Sequence, residues 1–286
     1  MPVKPHKGGK RKATRARAKN KAGRRHWLAK VRPYVRAVGP GLVTGAADND
    51  PSGIGTFAKT GAQFGYVQLW LAALTLPMMI VVQEVCARIG LATGRGLAQV
   101  IRDHYPRWLL YGCVGLLVVA NTINIGADLM AMAASGGLLV KQVPVWMWMA
   151  GFVLITALAP AYLNYRRYEK VLRLLCVFLL AYIAQVFLTH QPWGQVLRHT
   201  VVPTLRMDFE FWENVAAVMG TSISPYMFFW QASQEVEEEI LMGRTTIAKR
   251  EDVTGKDLKV MRFDVVSGMT ASQLTTWCII IAAAIH

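Results

Sequence analysis

The chain has 286 residues, of which 53% are hydrophobic and only 17% are charged. A soluble domain of this size carries nearer a quarter of charged residues, so the composition excludes an ordinary soluble protein and indicates a polytopic membrane protein. The net charge of +15 is concentrated at one end: residues 1–36 contain 14 of the 32 basic residues and no acidic residue, whereas the remaining chain is almost balanced.

Residues 1–36 are too polar and too uniformly basic to bury a core, which predicts a disordered cytoplasmic tail. We expect this tail to lie on anionic lipid head groups and to fix the orientation of the chain in the membrane. A nucleic-acid-binding arm and a simple solvated leader are the alternatives. We predict no nucleic-acid partner, because no aromatic side chain for base stacking precedes Trp27.

Seven stretches are long and apolar enough to span a bilayer, and we number them segments 1 to 7. They cover about residues 37–64, 66–90, 108–135, 144–163, 171–189, 211–242 and 264–285. Helices satisfy their own backbone hydrogen bonds in lipid, so the predicted fold class is an all-α polytopic membrane protein with a transmembrane domain over residues 37–286. The four cysteines stand singly within apolar stretches, so no disulfide and no resident cofactor is expected.

The basic residues between the segments predict the orientation. With a cytoplasmic amino terminus, the tail and the loops after segments 2, 4 and 6 place 28 basic residues inside. Only Lys141, Arg198 and Arg206 then lie outside. The positive-inside rule therefore predicts a multi-pass protein of the cell (inner or plasma) membrane with its amino terminus in the cytoplasm.

Segment 1 contains a break within the sequence GPGLVTGAADNDPSG, residues 39–53. Pro51 lacks a backbone donor and clashes with the preceding turn, so we predict that the helix stops between residues 48 and 53. Asp48 and Asp50 lie at this break, at a depth where a charged carboxylate costs at least ~2.5–3.5 kcal/mol. Freed carbonyl groups and the negative end of a half-helix complete a cation site with such acids in secondary transporters. A kinked helix with a buried neutral carboxyl group is the alternative.

Segment 6 contains a second break, at Ser224 and Pro225 in the sequence GTSISPYMFFWQASQE. Pro225 disfavours a helical Ser224 and predicts that the carbonyl groups near Gly220, Thr221 and Ser222 lack intrahelical partners. Broken helices in first and sixth place are typical of a five-helix repeat that is inserted twice in opposite orientation. Two such breaks can share one ion near the midplane. Two unrelated proline kinks are the alternative.

These motifs resemble those of the NRAMP family of divalent-metal transporters. The resemblance rests on GPG followed by DP and GAQFGY in segment 1, VVQEVCARIGLATGRGLAQVIRDHYPR from segment 2 onward, INIGADLMAMA in segment 3 and GTSISPYMFFWQASQE in segment 6. The family implies a LeuT-like fold of two inverted five-helix repeats, with a metal site between broken helices 1 and 6. On this comparison segments 1 to 5 complete the first repeat and segments 6 and 7 only begin the second. The chain is therefore expected to be truncated after segment 7.

The sequence departs from the family at the residues to which the resemblance assigns metal binding. The family motif DPGN binds metal through its Asp and Asn; here Asp50 is kept and the Asn is replaced by Gly53. The family motif MPH is Ser224-Pro225-Tyr226 here, so the methionine sulfur is missing.

Three further positions in segments 3 and 6 bear on proton coupling. Where the family has a second histidine in segment 6, this chain has Gln231. In segment 3 the family has the sequence Asp-Leu-Ala-Glu; this chain keeps the acid as Asp128 and has Ala131 in place of the Glu. Because histidine and perturbed carboxyl groups are the usual proton carriers, we expect transport without proton coupling. Proton-coupled Mn²⁺ or Fe²⁺ transport within the same family is the alternative.

The remaining donors are oxygen atoms, which favour a hard ion over a transition metal. We expect Mg²⁺ first and Mn²⁺ second, as in the NRAMP-related magnesium transporter branch that the sequence resembles most. The expected metal ligands are Asp50, Ser224, Thr221 and, through water, Asp48. Residues expected near the ion or along its path are Asp128, Tyr226, Gln231, Glu235 and Gly53.

Two further interpretations concern the acidic residues. Glu235, Glu237, Glu238 and Glu239 are expected mostly on a solvated cytoplasmic face, with a cation-attracting vestibule as the alternative. Of these four, Glu235 is the one expected to reach the ion path. An intramembrane aspartyl protease built on Asp50 and Asp128 is a rival function, but no second motif accompanies Asp128. The sequence therefore predicts a transporter and not an enzyme.

Overall fold

The computed structural model describes residues 40–162, 177–244, 246–247 and 253–285, and every regular element in these ranges is an α-helix. The all-α prediction is therefore confirmed for the described part of the chain. In chain order the helices are α1 Pro40–Ala47, α2 Pro51–Phe64, α3 Trp70–Thr93, α4 Leu97–His104, α5 Arg107–Leu139, α6 Val145–Tyr162, α7 Leu180–Leu188, α8 Trp193–Val201, α9 Phe209–Ser222, α10 Pro225–Leu241 and α11 Gly255–Ala284.

Segments 1 and 6 each consist of two helices, α1 with α2 and α9 with α10. Segments 2, 3, 4 and 7 correspond to α3, α5, α6 and α11, and the described part of segment 5 contains α7. The predicted tail over residues 1–36 and residues 171–176 of segment 5 lie outside the described residues. Hydropathy did not predict α4 and α8, because these short helices are amphipathic and carry basic residues in their last turns.

The helix of segment 7 begins nine residues before the predicted segment. Thr254 and Asp257 form a capping box at its start, in which each side chain accepts from the other residue's backbone N–H. This local signal starts α11 at Gly255 in a polar stretch, where an apolar window detects nothing. The stretch between α10 and α11 is correspondingly shorter than predicted.

Three of the described helices are each long and apolar enough to cross a membrane: α3, α5 and α11. Helix α6 contains a shorter apolar stretch, Val145–Ala159. The break divides segment 1 into helices of 8 and 14 residues and segment 6 into helices of 14 and 17 residues. Each of these four helices is shorter than the roughly 20 residues that span a bilayer. The number of seven spans thus stays a prediction.

Helix α11 packs against both halves of segment 1 and against α3 and α7. Glycines allow this close approach. A Cβ atom at Gly41 would lie 2.7 Å from the backbone of Asp264, and Gly45 and Gly61 similarly face the backbones of Gly268 and Ile280. Because only a residue without a side chain fits at such distances, these glycines fix the position of α1 and α2 on α11.

Two apolar clusters lie on either side of the helix breaks. One joins α2, α9 and the end of α11, with Phe57, Phe211 and Ile280 at its centre. The other joins α3, α10 and the beginning of α11 around Met227 and Met269. The polar residues of the breaks are therefore held between two packed layers.

Candidate metal-ion site at the two helix breaks

The first break lies between Ala47 and Pro51, where α1 ends and α2 begins. Pro51 occupies the first position of α2, where its missing N–H is not required. Asp50 caps this helix, because its Oδ1 atom accepts from the backbone N–H of Gly53 at 2.6 Å. The cap fixes the Asp50 carboxylate at the positive end of α2.

Three side chains also donate to the Asp50 carboxylate. The Ser52 hydroxyl donates to Oδ1 at 3.0 Å, and the Asn124 amide and the Tyr226 hydroxyl each donate to Oδ2 at 3.1 Å. The site thus joins α2, α5 and α10 around one carboxylate. Sequence reasoning placed Tyr226 near the ion but missed Asn124, although its position one turn before Asp128 in INIGAD was a usable signal.

Asp128 reaches the same site from α5. Its Oδ1 atom accepts from the backbone N–H of Ser52 at 2.9 Å, and its Oδ2 atom accepts from Asn124 at 3.3 Å. Asn124 therefore lies between the two carboxylates of Asp50 and Asp128 and donates to both. Asp128 therefore lies beside the first break, and its carboxylate accepts from the backbone of α2.

The second break lies between Ser222 and Pro225, and no side-chain cap is recorded at Ser224. The Ser224 hydroxyl instead donates back to the carbonyl groups of Gly220 at 3.1 Å and Thr221 at 2.7 Å. Two of the carbonyls that the sequence predicted to be free are therefore bonded to this side chain. Lone pairs on these oxygens remain for a cation.

The two breaks touch at Gly53 and Thr221. A Cβ atom at Gly53 would lie 2.9 Å from Oδ1 of Asp50 and 3.0 Å from the Thr221 methyl carbon. Gly53 thus leaves no room for an asparagine side chain, because the backbone of α2 lies close to Asp50 and to Thr221 on α9. An asparagine side chain at this position would have to displace the Asp50 carboxylate or Thr221.

Asp48 is turned away from this group and towards α11. Its side chain is fully buried, and its Oδ2 atom accepts from the Ser272 hydroxyl. The neighbouring Asn49 donates to the same hydroxyl at 3.0 Å. The two acids of the first break therefore have different partners, which a spacing of two residues did not reveal.

Gln231 and Glu235 lie on α10, and Gln231 contacts α1. The Thr44 hydroxyl donates to Gln231 at 2.7 Å, and the Gln231 amide donates to Glu235 at 2.9 Å. Close by, the buried carboxylate of Asp264 accepts from the backbone N–H of Gly41 at 2.6 Å, at the start of α1. Sequence reasoning missed Asp264, although an acid within an apolar segment is itself a signal.

The predicted solvated face at the end of segment 6 is wrong for two of its members, Glu235, which is 6% exposed beside Gln231, and Glu239. Glu239 is only 3% exposed and forms an ion pair with Arg244 at 2.6 Å. The carboxylate is buried because α10 turns back at Gly243, which has a positive φ and brings Arg244 over the last turn. Glu237 is exposed, as expected.

The donors at the two breaks are all hard. Within the described ranges, no cluster of three or more histidine, cysteine, aspartate or glutamate side chains could hold a metal. The breaks instead offer the carboxylates of Asp50 and Asp128 with hydroxyl and carbonyl oxygens of Ser224 and Thr221. Such a set suits an ion that keeps part of its hydration shell.

Comparison with known proteins agrees with these features. Residues 41–286 match the sequence model of the family described as "Natural resistance-associated macrophage protein-like". A protein of Verminephrobacter eiseniae named divalent metal cation transporter MntH is 27% identical over 269 residues, which cover 92% of this chain and 58% of that protein. A protein of the same name from Acidiphilium cryptum is 30% identical over 223 residues, covering 76% and 50%.

The fold is also found among solved structures. The crystal structure of a manganese transporter from Eremococcus coleocola, in complex with an aromatic bis-isothiourea substituted compound, superposes with a TM-score of 0.68 at 18% sequence identity. The alignment covers 87% of this chain and 51% of that protein. The chain thus spans about half the length of the relatives that it matches. Since the family match covers most of its length, the chain belongs to the NRAMP family.

Proposed function

We propose that this chain carries the ion site of a membrane transporter for divalent metal cations, which binds the ion at the two helix breaks. The observation that supports this most directly is the position of the Asp50 carboxylate at the amino-terminal end of α2. Four donors hold it there, from Gly53, Ser52, Asn124 and Tyr226. A carboxylate that is oriented by several donors is a pre-organised anchor for a cation. Family membership adds that relatives are named divalent metal cation transporters.

The proposed ion is Mg²⁺, with Mn²⁺ as the second candidate. Oxygen ligands and the absence of a thioether at Ser224 favour a hard ion that retains water. The name of the Eremococcus coleocola manganese transporter supports Mn²⁺ instead. Asp50 is the proposed direct ligand, with Ser224 and Thr221 on the opposite wall. Asp48, which was expected to contact the ion through water, is bonded to α11 in this structure.

Coupling to protons separates two versions of the proposal. Gln231 stands at the position to which the resemblance assigns a second family histidine, and its amide group is bonded to Thr44 and Glu235. We therefore propose passage driven by the ion gradient, with the bundle containing α2 and α10 moving against α5. The second candidate is proton-coupled Mn²⁺ transport, in which Asp128 beside Asp50 is the proton carrier.

The proposed setting is the cell membrane, with the amino terminus in the cytoplasm and residues 1–36 on anionic lipid. A peptidase is not proposed. Asn124 lies between Asp50 and Asp128 and donates to both, whereas two aspartates acting on a peptide bond must share a proton.

Titration calorimetry of the detergent-purified chain with Mg²⁺ and Mn²⁺ tests the site. We expect a divalent ion to bind, and Asp50→Ala to remove the binding, because no other carboxylate accepts four donors at the break. Asp103→Asn is the matched control, since this exposed acid pairs with Arg95 outside the site. Unchanged affinity in Asp50→Ala would contradict the proposal.

Uptake into liposomes with a pH-sensitive dye inside tests the coupling. The uncoupled version predicts that Mg²⁺ enters without acidification. Acidification that accompanies Mn²⁺ uptake and disappears in Asp128→Asn would support the proton-coupled alternative. Mn²⁺ uptake without Mg²⁺ uptake would overturn the preference for a hard ion but retain the site.

A further inference from the structure

A recess of about 290 Å³ lies between α2 and α9, next to the proposed ion site. Both helices contribute to its lining, which includes Thr56, Lys59 and Gln63 from α2 and Glu210, Glu213 and Ala217 from α9. One ammonium group and two carboxylates therefore share this recess. A charged side chain within an apolar segment normally faces a partner or an aqueous cavity, and Lys59 faces this cavity.

The α2 wall of the recess leads directly to Asp50. Ser52, Thr56, Lys59 and Gln63 are four, three and four residues apart, so they lie on one face of the helix. The Ser52 hydroxyl donates to the Asp50 carboxylate at 3.0 Å, and the Thr56 hydroxyl donates to the carbonyl of Ser52 at 3.0 Å. Because a helix rises ~1.5 Å per residue, Lys59 lies about 10 Å along this face from Ser52.

The α9 wall leads to the second break in the same way. Glu210, Glu213, Ala217 and Thr221 are three, four and four residues apart and so also share one helix face. At the inner end of this face, the Thr221 methyl carbon would lie 3.0 Å from a Cβ atom at Gly53. The two walls therefore converge where the helix breaks touch, and the recess opens away from that point.

Buried hydrogen bonds hold the two walls together. Asn214 is only 3% exposed, and its amide donates to the Thr60 hydroxyl at 2.9 Å and to the Gln68 side chain at 2.6 Å. The Gln68 amide in turn donates to the carbonyl of Phe211 at 3.2 Å. These bonds join α2, α9 and the turn before α3. The recess is therefore a fixed feature of two helices that are locked to each other.

The charge of Lys59 is not neutralised by direct contact. Among the described residues, Lys59 forms no ion pair, although Glu210 and Glu213 line the same recess. Glu210 instead accepts from the Gln63 amide at 3.2 Å. Two carboxylates and one ammonium group give the recess a net charge of −1. A cation that enters is thus attracted by the walls but repelled by Lys59.

We infer that this recess is the route by which a divalent cation reaches Asp50, and that Lys59 determines the rate of entry. The inference rests on the proposed function of the Asp50 site. A narrow cleft lined by charge concentrates the field on a passing ion, and a divalent ion experiences twice the repulsion of a monovalent one. The long, flexible Lys59 side chain also competes for Glu210 and Glu213, so that these carboxylates attract the ion without retaining it.

Stopped-flow mixing of the detergent-purified chain with Mn²⁺, followed by quenching of tryptophan fluorescence, tests the inference. Asp50→Ala identifies the quenching that does not arise from the proposed site. In the remaining phase, Lys59→Gln should raise the association rate constant roughly threefold at low ionic strength, because one repelling charge is lost. Lys59→Arg keeps the charge and should keep the rate. Lys141→Gln is the matched control, since this exposed lysine lies between α5 and α6, outside the recess.

The dependence on salt separates the charge of Lys59 from a merely structural role. The net charge of the recess is −1 in the unsubstituted chain, −2 in Lys59→Gln and zero in Glu213→Gln. Added NaCl should therefore slow Mn²⁺ association most steeply in Lys59→Gln and least in Glu213→Gln. A structural effect of Lys59 would instead change the rate by the same factor at every ionic strength.

Three outcomes would overturn the inference. An Asp50-dependent phase with the same rate and salt dependence in Lys59→Gln as in the unsubstituted chain would overturn it alone and retain the proposed function. Slower association in Lys59→Gln at low ionic strength would show that Lys59 does not repel the ion. The absence of any Asp50-dependent phase in the unsubstituted chain would overturn the proposed function, and this inference with it.

Discussion

The two helix breaks have the same backbone pattern but different side-chain chemistry. Each second half-helix begins with a proline, Pro51 or Pro225, and each is preceded by a residue with a polar side chain. At the first break, Asp50 caps the following helix. At the second, Ser224 turns back and bonds the carbonyls of the preceding helix.

This difference assigns different tasks to the two breaks. The first break carries the negative charge and holds it rigidly at a helix amino terminus. The second break supplies neutral oxygens, and its Ser224 hydroxyl bonds the carbonyl groups of Gly220 and Thr221. A cation is thus expected to be anchored by the first break, while the second sets the size and softness of the site.

The largest expected effect comes from putting the family's amide back at the first break. Gly53→Asn should reduce divalent-ion affinity by about 10- to 100-fold, because its Cβ atom must displace Asp50 or Thr221. Titration calorimetry measures the loss. Gly220→Ala, at the second break, is the matched control, since a Cβ atom there meets nothing within 4 Å. Equal affinity in Gly53→Asn would show that the close contact of the breaks is unimportant.

A smaller effect is expected from replacing the hard oxygen ligand at the second break with a soft sulfur ligand. Ser224→Met should shift the preference several-fold from Mg²⁺ towards Mn²⁺, because a thioether is a soft ligand. Competition binding with both ions measures the ratio. Ser224→Leu provides similar bulk without sulfur and should lower both affinities alike. An equal ratio of Mg²⁺ to Mn²⁺ affinity in the two variants would show that the second break does not determine which ion is preferred.

The smallest effect concerns stability. Asp50→Ala should lose about 1 kcal/mol of stability relative to Asp50→Asn, because Asn keeps the cap on α2 and Ala does not. Ser224→Ala should lose less, since no side-chain cap is recorded at this position. Thermal unfolding without divalent ions compares the three variants. A larger loss of stability in Ser224→Ala than in Asp50→Ala would contradict the assignment of the helix cap to the first break.

Much of the framework followed from local sequence. The apolar segments predicted an all-α membrane protein, and family membership confirms the resemblance read from the motifs. The prolines predicted where helices stop, since a missing N–H acts on the backbone wherever the residue lies. The start of α11 was missed, because its capping box lies in a polar stretch.

The ion site itself stays a prediction, and the sequence alone could not arrange its parts. The sequence distinguished Asp50, as a direct ligand, from Asp48, but it did not predict that Asp48 faces Ser272 on α11 while Asp50 faces Asn124 on α5. Local sequence does not reveal these partners, because they are more than seventy residues away in the chain.

The sequence by itself determined which residues are apolar, where helices break and which acids lie at a break, since these depend on composition and on backbone chemistry. Only the tertiary structure decided that Gly53 touches Thr221, that Asn124 joins two carboxylates and that Asp48 keeps an open oxygen. Those facts depend on how closely helices approach, which is set by the packing of glycines such as Gly45 and Gly61 against α11.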